Sequence, residues 1–260
     1  MRRFYQESWQ GIPFTAFSHI SFFHLAGPKF YATFYEELFR RYKSWDGLPA
    51  AWRNNKQTDV RWLAARLRER QAAAGPDAPP LRVLSIGSGV GYMEKLLLDA
   101  VPGLELHVNE PSTVGMKWLR QYIPAERIYI GLPPLCLPPD IQYDMIYLSA
   151  VDYGIHSSDL VRLLRALRVQ LAPGGELLCL SASLLEEDSF IGSFVNALKI
   201  IIRGFLHYLG IRRQQFWGWR RTRAEYLQLF KQAEFDEIQD GWINDTFNTY
   251  WIRGFCGISR

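Results

Sequence analysis

The chain has 260 residues, 48% hydrophobic and 22% charged, with a net charge of +4, which suits a globular protein with one substantial core in one or two domains. A charge this mild does not by itself mark a nucleic-acid binder. Cys136, Cys179 and Cys256 are odd in number and far apart, which speaks against a disulfide framework or a zinc site, and no uncharged apolar run is long enough to span a membrane.

The first residues interleave arginine, glutamine and glutamate with aromatics and lack the apolar region of a signal peptide, so the chain reads as cytoplasmic. Residues 1–80 read as an aromatic-rich helical extension. Gly27-Pro28 fits a helix start, after which Tyr31, Phe34, Tyr35, Leu38, Phe39 and Tyr42 share one face. That face packs on the core, caps a ligand site, or both. Thr58 is placed to cap a second helix with Val60, Leu63, Ala64 and Leu67 inward, followed by a Pro- and Ala-rich linker to Pro80.

Residues 81–98 then read as strand, tight turn and helix: a short apolar run, the segment Gly87-Ser88-Gly89-Val90-Gly91, and Met93, Leu96, Leu97 and Ala100 at helical spacing. Such a turn lets backbone approach a nucleotide-like ligand where side chains would collide with it. Tyr92 stands where the dinucleotide fingerprint has its third glycine, which counts against a nicotinamide or flavin dinucleotide. An acid that could accept from ribose hydroxyls is expected roughly 20 residues on. Glu110, followed by Pro111, closes the next strand-like run there.

On these residues the chain from about Leu81 onward resembles the class I S-adenosylmethionine-dependent methyltransferases. The resemblance implies an α/β, Rossmann-like fold: a seven-stranded, mostly parallel sheet with an antiparallel last strand. It also implies S-adenosylmethionine as cofactor, held by Ser85, Gly87, Ser88, Gly89, Gly91, Tyr92, Glu110 and Pro111. Ser85 stands where the family usually has an acid that serves the methionine end of the cofactor. No residue after the third strand, at Gly131-Leu132-Pro133, matches an adenine reader.

Further along, a helix over Val114–Tyr122, a short strand at Arg127–Ile130 and a Pro-rich stretch to Asp140 are expected. Tyr143–Ala150 resembles the family's fourth strand, which ends at the reacting centre. Asp152 and His156 beyond it are the candidate catalytic bases, with His19 and His24 as outside candidates. Ser157 or Ser158 caps the next helix, and Pro173-Gly174-Gly175 turns into a fifth strand ending at Ser181. Thr222–Glu225 has the pattern of a capping box, with strand-like runs at 235–243 and 248–258.

Between the fifth strand and Thr222, a helical insertion spans about 184–221. Its apolar stripe runs from Phe190 to Leu209, with Ser193, Asn196, Lys199, Arg203 and His207 opposite. Asp188 or Ser189 can cap its start. Three readings stay open for the helix over 189–209: a lid, a homodimer face, or a peripheral membrane contact. Trp217, Trp219, Trp242 and Trp251 offer flat faces to an acceptor.

The expected reaction is methyl transfer to a hydroxyl, in preference to an amine, of a small molecule or glycan, lipid-linked if the inserted helix meets a membrane. A non-catalytic scaffold is the main alternative. An RNA methyltransferase and a dehydrogenase rank lower, and metal dependence is not expected.

Overall fold

The computed structural model describes residues 1–17, 20–185, 200–211, 213–243 and 249–256. Its centre is a seven-stranded sheet in the order β10-β11-β8-β7-β4-β5-β6. In chain order these strands are β4 (Arg82–Ile86), β5 (Glu105–Glu110), β6 (Ile128–Ile130), β7 (Tyr143–Ser149), β8 (Leu171–Ser181), β10 (Glu237–Trp242) and β11 (Tyr250–Phe255). Strands β6, β5, β4, β7 and β8 run parallel, while β11 is antiparallel to both its neighbours, β8 and β10. This is the sheet that the resemblance implies. The strands after β4 and β7 are laid down in opposite directions across the sheet, so the order reverses at that pair. The carboxyl ends of that pair are where ligands of such sheets bind.

Both faces of the sheet are covered. Helix α2 (Ala50–Ala74) and α3 (Tyr92–Ala100) pack on one side through Leu63, Ala64, Leu67 and Leu97. Helix α4 (Ser157–Val169) and α5 (Arg223–Gln232) pack on the other through Leu160, Leu164, Leu167 and Phe230.

A third core belongs to the N-terminal segment, where α1 (Pro28–Arg41) starts with proline in its first turn and buries Phe30, Phe34, Tyr35, Leu38 and Phe39. Each such side chain contributes about 1.5–3 kcal/mol on burial. This segment is not wholly helical. It opens with β1 (Arg2–Gln6), paired antiparallel with β9 (Gln215–Arg220), and a small hairpin of β2 (Ser8–Trp9) and β3 (Ile12–Pro13) follows. The far end of the insertion is therefore a strand. Trp217 on it is 1% exposed, enclosed by Trp9, Phe14, Phe30 and Tyr153 rather than offered to an acceptor. Trp251 lies against Trp62, with ring centroids 5.4 Å apart, while Trp242 stays half-exposed beside Tyr250.

Several local expectations are corrected. Helix α2 begins at Ala50 after Pro49, so Thr58 lies inside it and its hydroxyl donates to the Asn54 carbonyl one turn back at 3.1 Å. Residues 114–122 form two short 3-10 turns, Gly115–Lys117 and Leu119–Gln121, instead of one helix. Helix α4 is capped by His156 in extended conformation, with Ser157 as its first helical residue and no side-chain cap. The capping box at Thr222 and Glu225 is formed in both directions.

In the insertion, residues 200–208 are helical. It packs on Phe22 through Gly204 and His207: a Cβ on Gly204 would lie 3.1 Å from that ring and the His207 ring centroid is 5.5 Å away, while Leu206 is half-buried and Arg203 exposed. Ile201, Ile202, Phe205 and Leu209 of the apolar stripe are exposed. The rest of the stripe, from Phe190 to Leu198, lies outside the described residues, as do Asp188, Ser189 and His19. Among the described residues, no helix is long and apolar enough to cross a membrane.

Candidate functional site

The turn after β4 is built so that only glycine suits it. Gly87, Gly89 and Gly91 all have positive φ, at 68°, 59° and 73°. A Cβ at Gly87 would stand 2.6 Å from Val151, and one at Gly91 would stand 2.7 Å from Leu119. Gly91 is also the left-handed residue from which α3 starts. The turn is tied to the neighbouring strand, because the Gly87 and Ser88 amides both donate to the Asn109 carbonyl, at 2.9 and 3.0 Å. The Ser88 hydroxyl lies 3.7 Å from the Met116 sulfur.

Glu110 ends β5 directly beside this turn. One carboxylate oxygen accepts from the Gly89 amide at 2.9 Å, the other from the Ser112 amide at 3.1 Å. Burial pushes its pKa up to about 7, against the lowering effect of those two amides. Pro111 follows at the surface.

The cover over Glu110 comes from α1. The Tyr35 ring is 3.0 Å from where a Cβ on Gly115 would be, and its hydroxyl is 3.4 Å from the corresponding position on Gly89. Burial raises the hydroxyl pKa of Tyr31 and Tyr35 far beyond the ordinary tyrosine range, with the charge of Glu110 adding to the effect. Tyr153, from the loop after β7, joins this wall, its pKa raised to about 12 by burial. Below the turn, the Trp45 indole donates to the Val90 carbonyl at 2.8 Å. The aromatic N-terminal segment thus packs over the glycine turn on one side and clamps it on another.

The remaining candidates divide. Ser85 is 1% exposed, and its hydroxyl donates to Glu94 Oε1 at 2.6 Å. Tyr92 is turned onto α2, its ring stacked on Trp52 and its hydroxyl accepting from Gln57 at 3.0 Å. Asp152 is fully buried. Its Oδ2 accepts from Ser181 at 2.9 Å and from the Tyr226 hydroxyl, and burial raises its pKa despite both bonds. The Arg221 guanidinium donates to the Asp152 carbonyl at 2.8 Å and to that of Ile155, tying the loop between β7 and α4 to the junction of β9 and α5.

His156, four residues further on, is exposed at the start of α4. Its Nδ1 is 2.9 Å from the Ser158 hydroxyl and its ring meets Trp219 edge-on. His24 is exposed and pairs with Ser21. Among the described residues, no group of three or more His, Cys, Asp or Glu is arranged to hold a metal ion.

Sequence reasoning passed over Glu94 and Tyr153, while Tyr31 and Tyr35 lie on the helix face expected to pack on the core, cap a ligand site, or both. Glu94 carried a legible signal, since it shares the helical stripe of Leu97 and Val101, where a charge is out of place. Tyr153 left none, because the residues it meets, Phe4 and Trp217, lie far away in sequence.

The sheet order and the glycine turn at its point of reversal define a class I, Rossmann-like methyltransferase fold, a class whose methyl donor is S-adenosylmethionine. The chain belongs to the methyltransferase-domain family, whose sequence profile matches residues 56–240. Its structure is similar to that of a putative O-methyltransferase from Nostoc punctiforme, at 16% identity and a TM-score of 0.59, over 93% of this chain and 64% of that one. It is also similar to human N-acetylserotonin methyltransferase in complex with S-adenosylmethionine, at 17% identity and a TM-score of 0.54, over 89% of this chain and 57% of that one. A third similar structure, PigF with S-adenosylhomocysteine, is 20% identical with a TM-score of 0.55, over 94% of this chain and 64% of that one. At such identities the likeness is one of fold, and the chain spans 57–64% of the length of these three structures. No curated protein matches the chain.

Proposed function

We propose that this chain transfers a methyl group from S-adenosylmethionine to a hydroxyl of a small molecule or glycan. The observation that carries the donor half is the pairing of Gly89 and Glu110. A glycine turn whose central amide is 2.9 Å from a buried carboxylate, at the carboxyl ends of β4 and β5, offers backbone donors and a ribose acceptor side by side. The residues fit the donor: Glu110 would take the ribose hydroxyls, and Gly87, Ser88 and Gly89 would line its nucleoside. The bound donor supplies an electrophilic methyl group, and the chain's own task is to align an acceptor with it and keep water away.

The hydroxyl reading rests on the loop after β7. A hydroxyl acceptor needs a base, and His156 is the exposed titratable group there, whereas the carboxyl of Asp152 is enclosed and already hydrogen-bonded. We assign His156 as the base and Asp152 to holding the loop that carries it. The tyrosine wall of Tyr31, Tyr35 and Tyr153 suits a flat acceptor with polar edges. Of the similar structures named above, one is a putative O-methyltransferase and another is named for a small-molecule acceptor, N-acetylserotonin, in keeping with this reading.

The test is thermal unfolding with S-adenosylhomocysteine, S-adenosylmethionine, NAD and no ligand. A ligand at about 100 times its dissociation constant stabilises by roughly 2.7 kcal/mol, several degrees for a chain of this size. A rise with the two sulfur nucleosides alone supports the proposal. A rise with NAD, or with nothing, overturns it in favour of a dehydrogenase or a scaffold.

A further inference from the structure

Ser85 leaves the strand position next to the glycine turn without a carboxylate, yet a carboxylate is there. Glu94, from the first turn of α3, is 2% exposed and reaches across to β4 and β7. Its Oε1 accepts from the Ser85 hydroxyl at 2.6 Å and from the Tyr147 hydroxyl at 2.8 Å, and Ser85 and Tyr147 are register partners at the point where the strand order reverses. Its Oε2 is buried and has no hydrogen-bond partner among the described residues.

A second carboxylate lies in the same layer. Asp59 of α2 is 1% exposed, its Oδ2 is 3.3 Å from the Lys56 ammonium, and its Oδ1 has no hydrogen-bond partner among the described residues. Lys56 in turn donates at 2.8 Å to the hydroxyl of Ser149, the last residue of β7. The group thus holds two carboxylates against one ammonium, with an unpaired oxygen on each acid. A buried, uncompensated charge is costly, and a cationic partner with hydrogen bonds to give relieves it. The two acids are tied to the same turn: Glu94 through Ser85, two residues before Gly87, and Glu110 through the Gly89 amide.

We infer that Glu94, held by Ser85 and Tyr147, binds the α-ammonium of the methyl donor's amino-acid end, with Asp59 and Lys56 completing the charge balance around it. The inference rests on the donor reading above and deepens it. Glu110 takes the ribose, and Glu94 takes the opposite end of the same ligand from a helix instead of from the strand. In this arrangement the short side chain of Ser85 makes room for the Glu94 carboxylate and orients it. Glu94 is a positioning residue for the donor and takes no part in methyl transfer.

The experiment compares two ligands by isothermal titration calorimetry. S-adenosylhomocysteine carries the amino-acid end, and 5′-methylthioadenosine is the same thioether nucleoside without it. In E94Q the bonds from Ser85 and Tyr147 to Oε1 are kept while Oε2 becomes an NH2 group that repels an ammonium.

E94Q is expected to weaken S-adenosylhomocysteine by roughly 10–100-fold, the range for a hydrogen bond to a charged group, and 5′-methylthioadenosine by less than about twofold. E110A is expected to weaken both ligands. Equal weakening of both by E94Q, or of neither, overturns the inference while leaving the donor reading intact. Failure of the wild-type protein to bind either ligand overturns both. If E94Q does not unfold cooperatively, E94D keeps the charge but withdraws it by one methylene, and the same selective loss is expected from it.

Discussion

Glu110 is the residue whose environment makes the sharpest quantitative demand. Its carboxyl is 6% exposed beneath the α1 tyrosines, and its pKa rises from 4.5 to about 7. In the unfolded chain the group loses its proton near the ordinary carboxylate value, whereas the folded protein keeps it to about pH 7. Between those limits the folded state binds more protons, so this group's contribution to stability is full below about pH 4.5 and is lost as pH rises to about 7. The interval from 4.5 to about 7 corresponds to roughly 3 kcal/mol.

Glu110→Gln removes the titration and adds a constant offset from its altered hydrogen bonds to Gly89 and Ser112. The difference in unfolding free energy between variant and wild type should therefore shift in favour of the variant by about 3 kcal/mol between pH 4.5 and pH 8. In unfolding midpoint that is roughly 6–12 °C. Asp152 is present in both proteins and drops out of the subtraction, while Glu94, whose charge acts on Glu110, enters only through that coupling. The assay is thermal or urea unfolding of both proteins across that range. A difference that stays flat with pH would mean that α1 does not desolvate Glu110, and the cap over the turn would be refuted. The same charge serves the ligand in the opposite sense: affinity of the wild type for S-adenosylhomocysteine should fall as pH drops below about 7, since a protonated carboxyl is a poor acceptor for ribose hydroxyls.

Gly91→Ala combines positive φ with a Cβ 2.7 Å from Leu119 and should cost at least about 2 kcal/mol by denaturant unfolding. Gly103→Ala, also at positive φ but with nothing within 4 Å, is the control and should cost clearly less, and equal losses would contradict the steric account. His156→Ala should lower turnover by about 10²–10⁴-fold with donor affinity unchanged in calorimetry, and an unaltered kcat would remove it as the base. Thr222→Ala breaks a capping box closed in both directions and should cost about 1 kcal/mol, read as a drop in urea midpoint at constant m-value.

Much of the frame was legible along the chain because its signals are local. The three glycines of the turn, the apolar strands that flank it, Pro28 at a helix start and the Thr222–Glu225 box each follow from conformational preferences of a few adjacent residues. Glu110 was legible too, because the βαβ unit sets its distance from the turn. Thr58 shows where local reading fails: as a strong cap residue it suggests a helix start, but Pro49 followed by two alanines starts the helix earlier, and the hydroxyl is satisfied by the carbonyl one turn back.

The composition of the site was decided by tertiary structure. Strand β1 exists only because β9, some 200 residues later in the chain, supplies its hydrogen bonds, and that pairing draws Trp217 out of any acceptor pocket into the aromatic core. Asp152 and His156 are four positions apart and look alike as candidate bases. Contacts from Ser181, Arg221 and Tyr226 enclose the first and leave the second exposed. Along the chain Glu94 is only a charge out of place on an apolar stripe; its partners, Ser85 and Tyr147 from two different strands, are supplied by the fold. The sequence alone determined the backbone geometry of the turn, since φ preferences act between neighbours. Which carboxylates face that turn, and with what charge, depends on desolvation and partners that only the folded chain brings within reach.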